Sequence, residues 1–173
     1  KEAHRYGKAI RPAALACSIS HKRVYEDVLK NNYSRVLILE DDVIPNEEGI
    51  ALFNQIIQEL PTGWGILYFD YFKNTRHTIF SIIKKQVYHL QKKMGHLIWS
   101  HQTIDNLIAR NYSSHLKKAG YHDFASAYAI TKETATLLVN MQTPVIYLSD
   151  QLLPLTCTEE MVRGFISIPK FYI

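Results

Sequence analysis

The chain has 173 residues, 47% of them hydrophobic and 21% charged, which suits one globular domain with a sizeable core. Its formal net charge of +4 favours anionic ligands or an anionic membrane surface, while the scatter of the basic residues argues against a nucleic-acid partner. The two cysteines form neither a metal motif nor a disulfide framework, and no apolar run nears the ~20 residues of a membrane span, so we expect a cytoplasmic protein.

The chain opens with a polar segment, 1–11, which we predict to be irregular. A helix is predicted from Pro12 to about Lys30, because proline suits the first helical position and apolar residues then recur at helical spacing. The stripe expected to face inward comprises Cys17, His21, Val24 and Val28.

The next elements are a strand, a helix and a second strand. The apolar run Val36–Leu39 predicts a strand buried on both faces, as inside a parallel sheet. Asn46 is typical of the N-cap of a following helix. The segment Trp64–Phe72 predicts the second strand.

The region Thr75–Asn111 is predicted to be a helical insertion, with a second helix from Leu97 to Ala109. Its apolar stripe at helical spacing is Ile79, Ile82, Ile83, Val87 and Leu90, and four lysines lie off that stripe: Lys84, Lys85, Lys92 and Lys93. A solvated helix face is the default interpretation of the lysines. The functional alternative is attraction to a phosphorylated, lipid-linked molecule at the inner membrane surface.

Three further elements complete the pattern. A strand is predicted over Phe124–Ile130, then a helix capped by Thr131, and a last strand over Phe165–Ile168. Strands that alternate with helices favour the α/β class.

Three consecutive carboxylates, Glu40, Asp41 and Asp42, follow the first strand. Ligands of open α/β sheets bind at the carboxyl ends of strands, and three adjacent negative charges favour a compensating cation. If the strand continues, Glu40 and Asp42 point the same way and can share a metal, while Asp41 faces the other side. A solvated polar strand end is the alternative.

Four blocks in this order give a family resemblance: Ala16-Cys17-Ser18-Ile19-Ser20-His21, Leu37-Ile38-Leu39-Glu40-Asp41-Asp42-Val43, Ala127-Tyr128-Ala129-Ile130-Thr131 and Leu148-Ser149-Asp150-Gln151-Leu152. Together they resemble glycosyltransferase family 25, which includes bacterial lipooligosaccharide galactosyltransferases and procollagen galactosyltransferases. The likeness spans roughly Ile10 to Ile168. The resemblance implies a GT-A-like fold, with a mostly parallel sheet flanked by helices in one domain, 1–173.

The chain departs from the family pattern at its start. Ala13 and Ala14 stand where the family usually has glycine, and nothing matches the family's opening strand and helix. We therefore expect the first strand to be missing. A truncated enzyme and a degenerate relative both fit this departure.

The resemblance also implies the chemistry: transfer of a hexose, galactose above all, from a UDP-sugar to a lipooligosaccharide or other surface glycan. Mn²⁺ or Mg²⁺, held by Glu40 and Asp42, would offset charge on the diphosphate. Asp41 would contact the nucleotide or its ribose. Family members that make β linkages invert the donor configuration, which needs one general base.

Asp150 matches the family's late Asp block and is the predicted base; a helix N-cap is its alternative role, and Asp123 is the rival base. Ser20 and His21 match the family's Ser-His pair and are predicted nucleotide contacts, although His21 fits a buried structural histidine equally well.

Cys17 and Tyr128 are predicted core residues, and Asp70 is either an additional acidic ligand or a loop residue.

Two other classes of function fit the same residues. One is a non-catalytic glycan- or nucleotide-binding remnant of the same fold. The other is a metal-dependent phosphatase or nuclease, although the additional Asp or His blocks of such enzymes do not occur in this sequence.

Overall fold

The computed structural model describes residues 4–5, 8–9, 11–123 and 126–172. The helices of this part of the chain are α1 (Pro12–Lys30), α2 (Glu47–Ala51), α3 (Phe53–Glu59), α4 (Ile79–Lys93), α5 (His101–Asp105), α6 (Lys132–Met141) and α7 (Ser149–Thr158). The strands are β1 (His4–Arg5), β2 (Lys8–Ala9), β3 (Arg35–Leu39), β4 (Ile66–Tyr68), β5 (Arg110–Asn111), β6 (Leu116–Lys118), β7 (Ala127–Thr131) and β8 (Gly164–Ser167). Residues 124 and 125, where a strand was predicted to begin, lie outside the described residues.

Six strands form one sheet in the order β3-β7-β4-β8-β6-β5, and β1 and β2 form a separate antiparallel pair. β7 is antiparallel to both β3 and β4, so β3 and β4 run in the same direction, and β8 is parallel to β4. The α/β class is confirmed. The predicted mostly parallel sheet is wrong, because β4 with β8 is the one parallel pair among the described strands.

The strand β3 differs from its prediction in burial. It lies at the edge of the sheet, where Ile38 is buried but Leu37 and Leu39 are 48% and 44% exposed. An apolar run has the same composition at an edge as at a centre, so the sequence pattern could not separate the two. The strand buried on both faces is β4, all of whose residues are inaccessible to solvent.

The helix α1 begins at Pro12 and ends at Lys30, as predicted. Its buried face is Ser18, His21, Tyr25 and Val28, which pack with α6 and the sheet. The predicted stripe is therefore wrong at Cys17 and Val24, which are exposed. The true stripe shifts by one residue because it includes a serine and a tyrosine, which an apolar pattern does not count.

Two helix caps were predicted correctly from local sequence. The side chain of Asn46 accepts a hydrogen bond from the backbone N–H of Glu48, and that of Thr131 accepts one from Thr134. Both caps satisfy backbone donors that a helix leaves unpaired at its start.

The region 75–111 contains α4, α5 and β5 rather than two long helices. Thr78 and Ser81 form a reciprocal capping box at the start of α4. The predicted helix over Leu97–Ala109 is shorter than expected, because only its central part, α5, is helical.

Candidate active site

Four side chains lie on the side of the sheet where β3 and β4 end and β7 begins; this side, formed by strand ends, is the edge described below. Glu40 follows β3, Asp70 lies two residues beyond β4, and Asp123 and Ser126 precede β7. The first turn of α7 brings Asp150 to the same neighbourhood, since Asp123 and Glu40 both act on its ionisation. Carboxylates from four separate segments therefore surround one edge.

A chain of hydrogen bonds leads from the core to this edge. His21 Nε2 lies 3.1 Å from Glu40 Oε1, and His21 Nδ1 lies 2.8 Å from the Tyr128 hydroxyl. The Tyr25 hydroxyl lies 2.8 Å from that of Tyr128. Burial raises the pKa of Tyr25 and of Tyr128 well above the usual value, so both remain phenols at neutral pH.

One arrangement of protons satisfies every member of this chain. Tyr25 donates to Tyr128, Tyr128 donates to Nδ1 of His21, and Nε2–H of His21 donates to the Glu40 carboxylate. The network fixes the ring of His21 and, through it, the direction of Glu40. Tyr128 is thus a core residue, as predicted, and also orients the site.

Asp150 is the second residue of α7, whose N-cap position is Leu148. The predicted alternative role of Asp150 as a helix N-cap is therefore wrong. Its Oδ1 atom is buried and has no hydrogen-bond partner. Burial raises the pKa of Asp150, and the carboxylates of Asp123 and Glu40 raise it further, while its own backbone N–H and His21 lower it. A carboxylate of raised pKa with one unpartnered oxygen atom is suited to accept a proton.

Comparison with protein families places these residues in a known group. The model of glycosyltransferase family 25 (LPS biosynthesis protein) matches residues 1–153. The chain belongs to glycosyltransferase family 25. A search of curated proteins found no match. The matched range contains His21, Glu40, Asp123 and Asp150.

The rival base of this family 25 chain, Asp123, is held on two sides. Its backbone pairs with that of Phe72, and its carboxylate forms an ion pair with Lys73. The adjacent His122 is buried, accepts the backbone N–H of Gly120 and donates to the carbonyl of Lys73. Burial lowers the pKa of His122 to about 4. His122 is therefore neutral at pH 7 and supports the segment that carries Lys73.

Asp70 is a buried, fully engaged carboxylate. It accepts hydrogen bonds from Lys170 Nζ at 2.9 Å, from the Ser126 hydroxyl at 2.8 Å and from the backbone N–H of Tyr71 at 2.8 Å. These partners satisfy its charge without a metal ion. Asp70 lies in the bend after β4, as the loop alternative predicted, and its hydrogen bonds join this bend to the segment before β7. Its role as an additional acidic ligand stays a prediction.

The acidic triplet does not continue the strand. β3 ends at Leu39, Glu40 turns towards His21, and Asp41 and Asp42 are exposed in a turn. The premise that placed Glu40 and Asp42 on one side of a strand is therefore wrong. Their assignment as metal ligands stays a prediction, and so do the nucleotide contacts assigned to Asp41 and to Ser20, which is exposed on α1.

Two sets of side chains could hold a metal ion. Among the described residues, Cys17, His21 and Glu40 form the one group of three possible ligands whose atoms lie within 4.8 Å of one another. A thiol, an imidazole and a carboxylate suit an ion such as Zn²⁺. Mn²⁺ and Mg²⁺ prefer oxygen donors, which Glu40 and Asp42 offer. Glu40 Oε1 is engaged with His21, so Oε2 is the oxygen that could reach a hard cation.

Cys17 lies at the opening of this group, beside α7. Burial raises the pKa of the Cys17 thiol, Glu40 raises it further, the Ser149 hydroxyl lowers it, and Asp150 raises it. The thiol is therefore protonated at neutral pH. Cys17 is exposed, contrary to its predicted core position.

Several residues of this edge were not predicted from the sequence. Tyr25 follows His21 by four residues, a helical spacing that could have indicated it. Lys73, Ser126 and Lys170 reach the edge through tertiary contacts, and no local pattern distinguishes them. A concavity of 490 Å³ lined by Trp64, Thr131 and Arg163 lies at the opposite edge of the sheet and contains none of the site carboxylates.

Proposed function

We propose that this family 25 glycosyltransferase moves a hexose, galactose in the first instance, from a UDP-sugar to a lipooligosaccharide or another surface glycan, with inversion at the anomeric carbon. Membership of a family described as lipopolysaccharide biosynthesis proteins supports the reaction class. The observation that carries the proposal is Asp150, whose buried and unpartnered Oδ1 belongs to the carboxylate-rich edge of the sheet.

Asp150 is the proposed general base. It accepts the proton of the acceptor hydroxyl as that oxygen forms a bond to the anomeric carbon. The bond from the anomeric carbon to the diphosphate breaks, and its electron pair leaves with UDP. The carboxylates of Glu40 and Asp123 favour this proton transfer, because each raises the pKa of Asp150. Asp123 is the weaker candidate for the base, since its carboxylate is engaged in an ion pair with Lys73.

We propose further that Glu40 and Asp42 hold Mn²⁺ or Mg²⁺ when donor is bound. The cation would offset the negative charge that develops on the departing diphosphate. His21 fixes one oxygen of Glu40, so the carboxylate is oriented before the donor arrives. Ser20 adjoins His21 in the chain and Asp41 adjoins Glu40; both are exposed and are the proposed nucleotide contacts.

The test is release of UDP from UDP-galactose and other UDP-hexoses, with Mn²⁺ and a lipooligosaccharide acceptor. Asp150→Asn preserves the shape of the side chain but removes the base, and we expect a loss of about 10²–10⁴-fold in kcat. Asp27→Asn makes the same change at an exposed position near the end of α1 and should keep full activity. Wild-type activity in Asp150→Asn would refute the assignment of the base.

A further inference from the structure

The outer face of α4 is apolar and exposed. Exposed apolar side chains begin at Ile79 and recur from Phe80 onward at every third or fourth residue to just past the end of the helix; this row comprises Ile79, Phe80, Ile83, Val87, Leu90 and Met94. Phe80 is 82% exposed and Ile79 is 76% exposed. We call these six residues the α4 stripe. Such a continuous apolar stripe normally faces the core of a protein, so here it calls for a different partner.

The inward face of α4 carries polar side chains together with Tyr88, whose ring packs against that of Trp99. Ser81 is the one buried residue of the helix among those described, and Lys84 and Lys85 are half-buried. Lys84 Nζ lies 3.4 Å from Asn74 Oδ1, and Lys85 Nζ lies 2.6 Å from the carbonyl of Asp105. These contacts fix the rotation of α4, so the apolar face is held outward by the fold.

The segment that contains α4 is rich in positive charge, although the Asp105 carboxylate lies 3.0 Å from Nε2 of His89 on this helix. Residues 71–104 contain six of the 20 Lys and Arg of the chain and none of its 16 Asp and Glu. This segment therefore carries more positive charge than the whole chain, whose formal net charge is +4, and the remainder is net negative. An apolar stripe within a cationic segment complements a lipid bilayer, which has apolar acyl chains beneath anionic head groups.

We propose that α4 binds the surface of an anionic lipid bilayer, with its axis in the plane of the membrane and the α4 stripe among the acyl chains. None of the described helices is long and apolar enough to cross a membrane. A second copy of the chain fits the stripe less well, because two like-charged segments would face each other. The proposal does not depend on the proposed glycosyl transfer, since it concerns binding alone.

The test is flotation of the purified chain with lipid vesicles. We expect binding to vesicles of phosphatidylcholine with phosphatidylglycerol, weaker binding to phosphatidylcholine alone, and release at high salt. Phe80→Ser with Leu90→Ser should weaken the binding more than about tenfold, because each large apolar side chain that enters the acyl chains raises the partition coefficient by about a factor of ten. Because Phe80 and Leu90 are exposed, we expect this variant to fold as the wild type does, and circular dichroism measures whether it is folded.

Two controls make the result specific. Ile44→Ser replaces an apolar residue that is 65% exposed but lies far from α4 in sequence, and it should bind as the wild type does. Lys92→Glu with Lys93→Glu should lose the preference for phosphatidylglycerol. Absence of binding to anionic vesicles would overturn the proposal. It would also be overturned if sedimentation showed a dimer that Phe80→Ser with Leu90→Ser converts to a monomer, while vesicles bind neither form.

Discussion

His21 and Tyr128 are 107 residues apart in the chain, yet Nδ1 of His21 lies 2.8 Å from the Tyr128 hydroxyl and the two rings stack at 5.9 Å. This contact joins α1 to the middle of the sheet. It also settles the direction of the other ring nitrogen, which faces Glu40 at 3.1 Å. The orientation of one carboxylate at the site thus depends on a phenol in the core.

Tyr128→Phe should destabilise the protein by ~1–3 kcal/mol. The change keeps the ring but removes the hydroxyl, so the buried Tyr25 hydroxyl and His21 Nδ1 both lose their partner. Urea unfolding at pH 7 measures the effect. Tyr33→Phe removes a hydroxyl from a side chain that is 49% exposed and should change the stability by less than ~0.5 kcal/mol. Equal effects of the two changes would show that the network does not stabilise the fold.

His122 should make the protein less stable as the pH falls below neutral. Its pKa is lowered to about 4 in the folded chain because it is buried, against 6.5 for an ordinary histidine. The unfolded chain therefore binds more protons between these values, and the free energy of unfolding decreases as the pH falls from 6.5 towards 4. The full difference amounts to about 3 kcal/mol.

Comparison of His122→Gln with the wild type measures this contribution. The variant should be less stable at pH 7, because it changes the contacts to Gly120 and Lys73, but its stability should fall less between pH 6.5 and pH 4.5. His77→Gln is the matched change at an exposed histidine and should keep the wild-type slope. The same slope in His122→Gln and in the wild type would contradict a lowered pKa at this residue.

Local signals predicted a good part of the fold. Pro12, Asn46 and Thr131 mark helix starts through contacts within a few residues, and all three are at the predicted ends. Directions of strands and their places in the sheet depend on distant pairing. The apolar run of β3 therefore gave a wrong prediction of its burial, because the same residues suit a strand at the edge and a strand at the centre of a sheet.

The site was predictable only in part, for the same reason. The sequence indicated His21, Glu40 and Asp150 as functional residues, and the structure brings them to one edge. The pairing of Asp70 with Lys170, 100 residues away, has no local signal. Asp41 and Asp42 lie in a turn rather than in a continued strand. The amino-acid composition of a short strand does not indicate at which residue the strand ends.

Asp150→Asn should raise the stability at pH 7 while it slows transfer. The pKa of Asp150 is raised by burial and by Asp123 and Glu40, so the ionised form is less favourable in the folded chain than in the unfolded one. Removal of that charge should therefore stabilise the protein above the usual carboxyl pKa, and the gain should vanish in more acidic solution, where Asp150 is protonated in both states. Because the side chain is partly exposed, we expect up to about 1 kcal/mol.

The measurement is urea unfolding of Asp150→Asn and wild type at pH 7 and at pH 3.5. Asp27→Asn, at the exposed end of α1, is the control and should not show a pH-dependent gain. A lower stability of Asp150→Asn at pH 7 would mean that Asp150 supports the fold rather than the reaction.

Asp42→Ala should weaken Mn²⁺-dependent binding of UDP. If Glu40 and Asp42 hold the cation between them, the loss of one carboxylate should reduce the affinity roughly tenfold or more. Calorimetric titration of UDP with and without Mn²⁺ measures this effect, with Asp27→Ala as control. UDP-sugar turnover and Mn²⁺ dependence that are unchanged in Asp42→Ala would refute the assignment. Binding of free sugars without any binding of UDP would favour the non-catalytic remnant.

Zn²⁺ should protect Cys17 from alkylation. The ligand atoms of Cys17, His21 and Glu40 lie within 4.8 Å of one another, so small rotations would bring all three to zinc distances of about 2.0–2.3 Å. Iodoacetamide at pH 8 should label the exposed Cys17 slowly, because its pKa is raised, and more slowly still with Zn²⁺. Mg²⁺ should have little effect, since it does not favour thiolate ligands.

The chain provides its own controls for this measurement. Cys157 is buried, its pKa is raised to about 12, and it should stay unlabelled with or without metal. Glu40→Gln keeps a hydrogen-bond acceptor for His21 but loses the carboxylate, so Zn²⁺ should protect Cys17 less in this variant. Equal protection in Glu40→Gln and wild type, or equal protection by Mg²⁺ and Zn²⁺, would show that these three side chains do not act as one metal site.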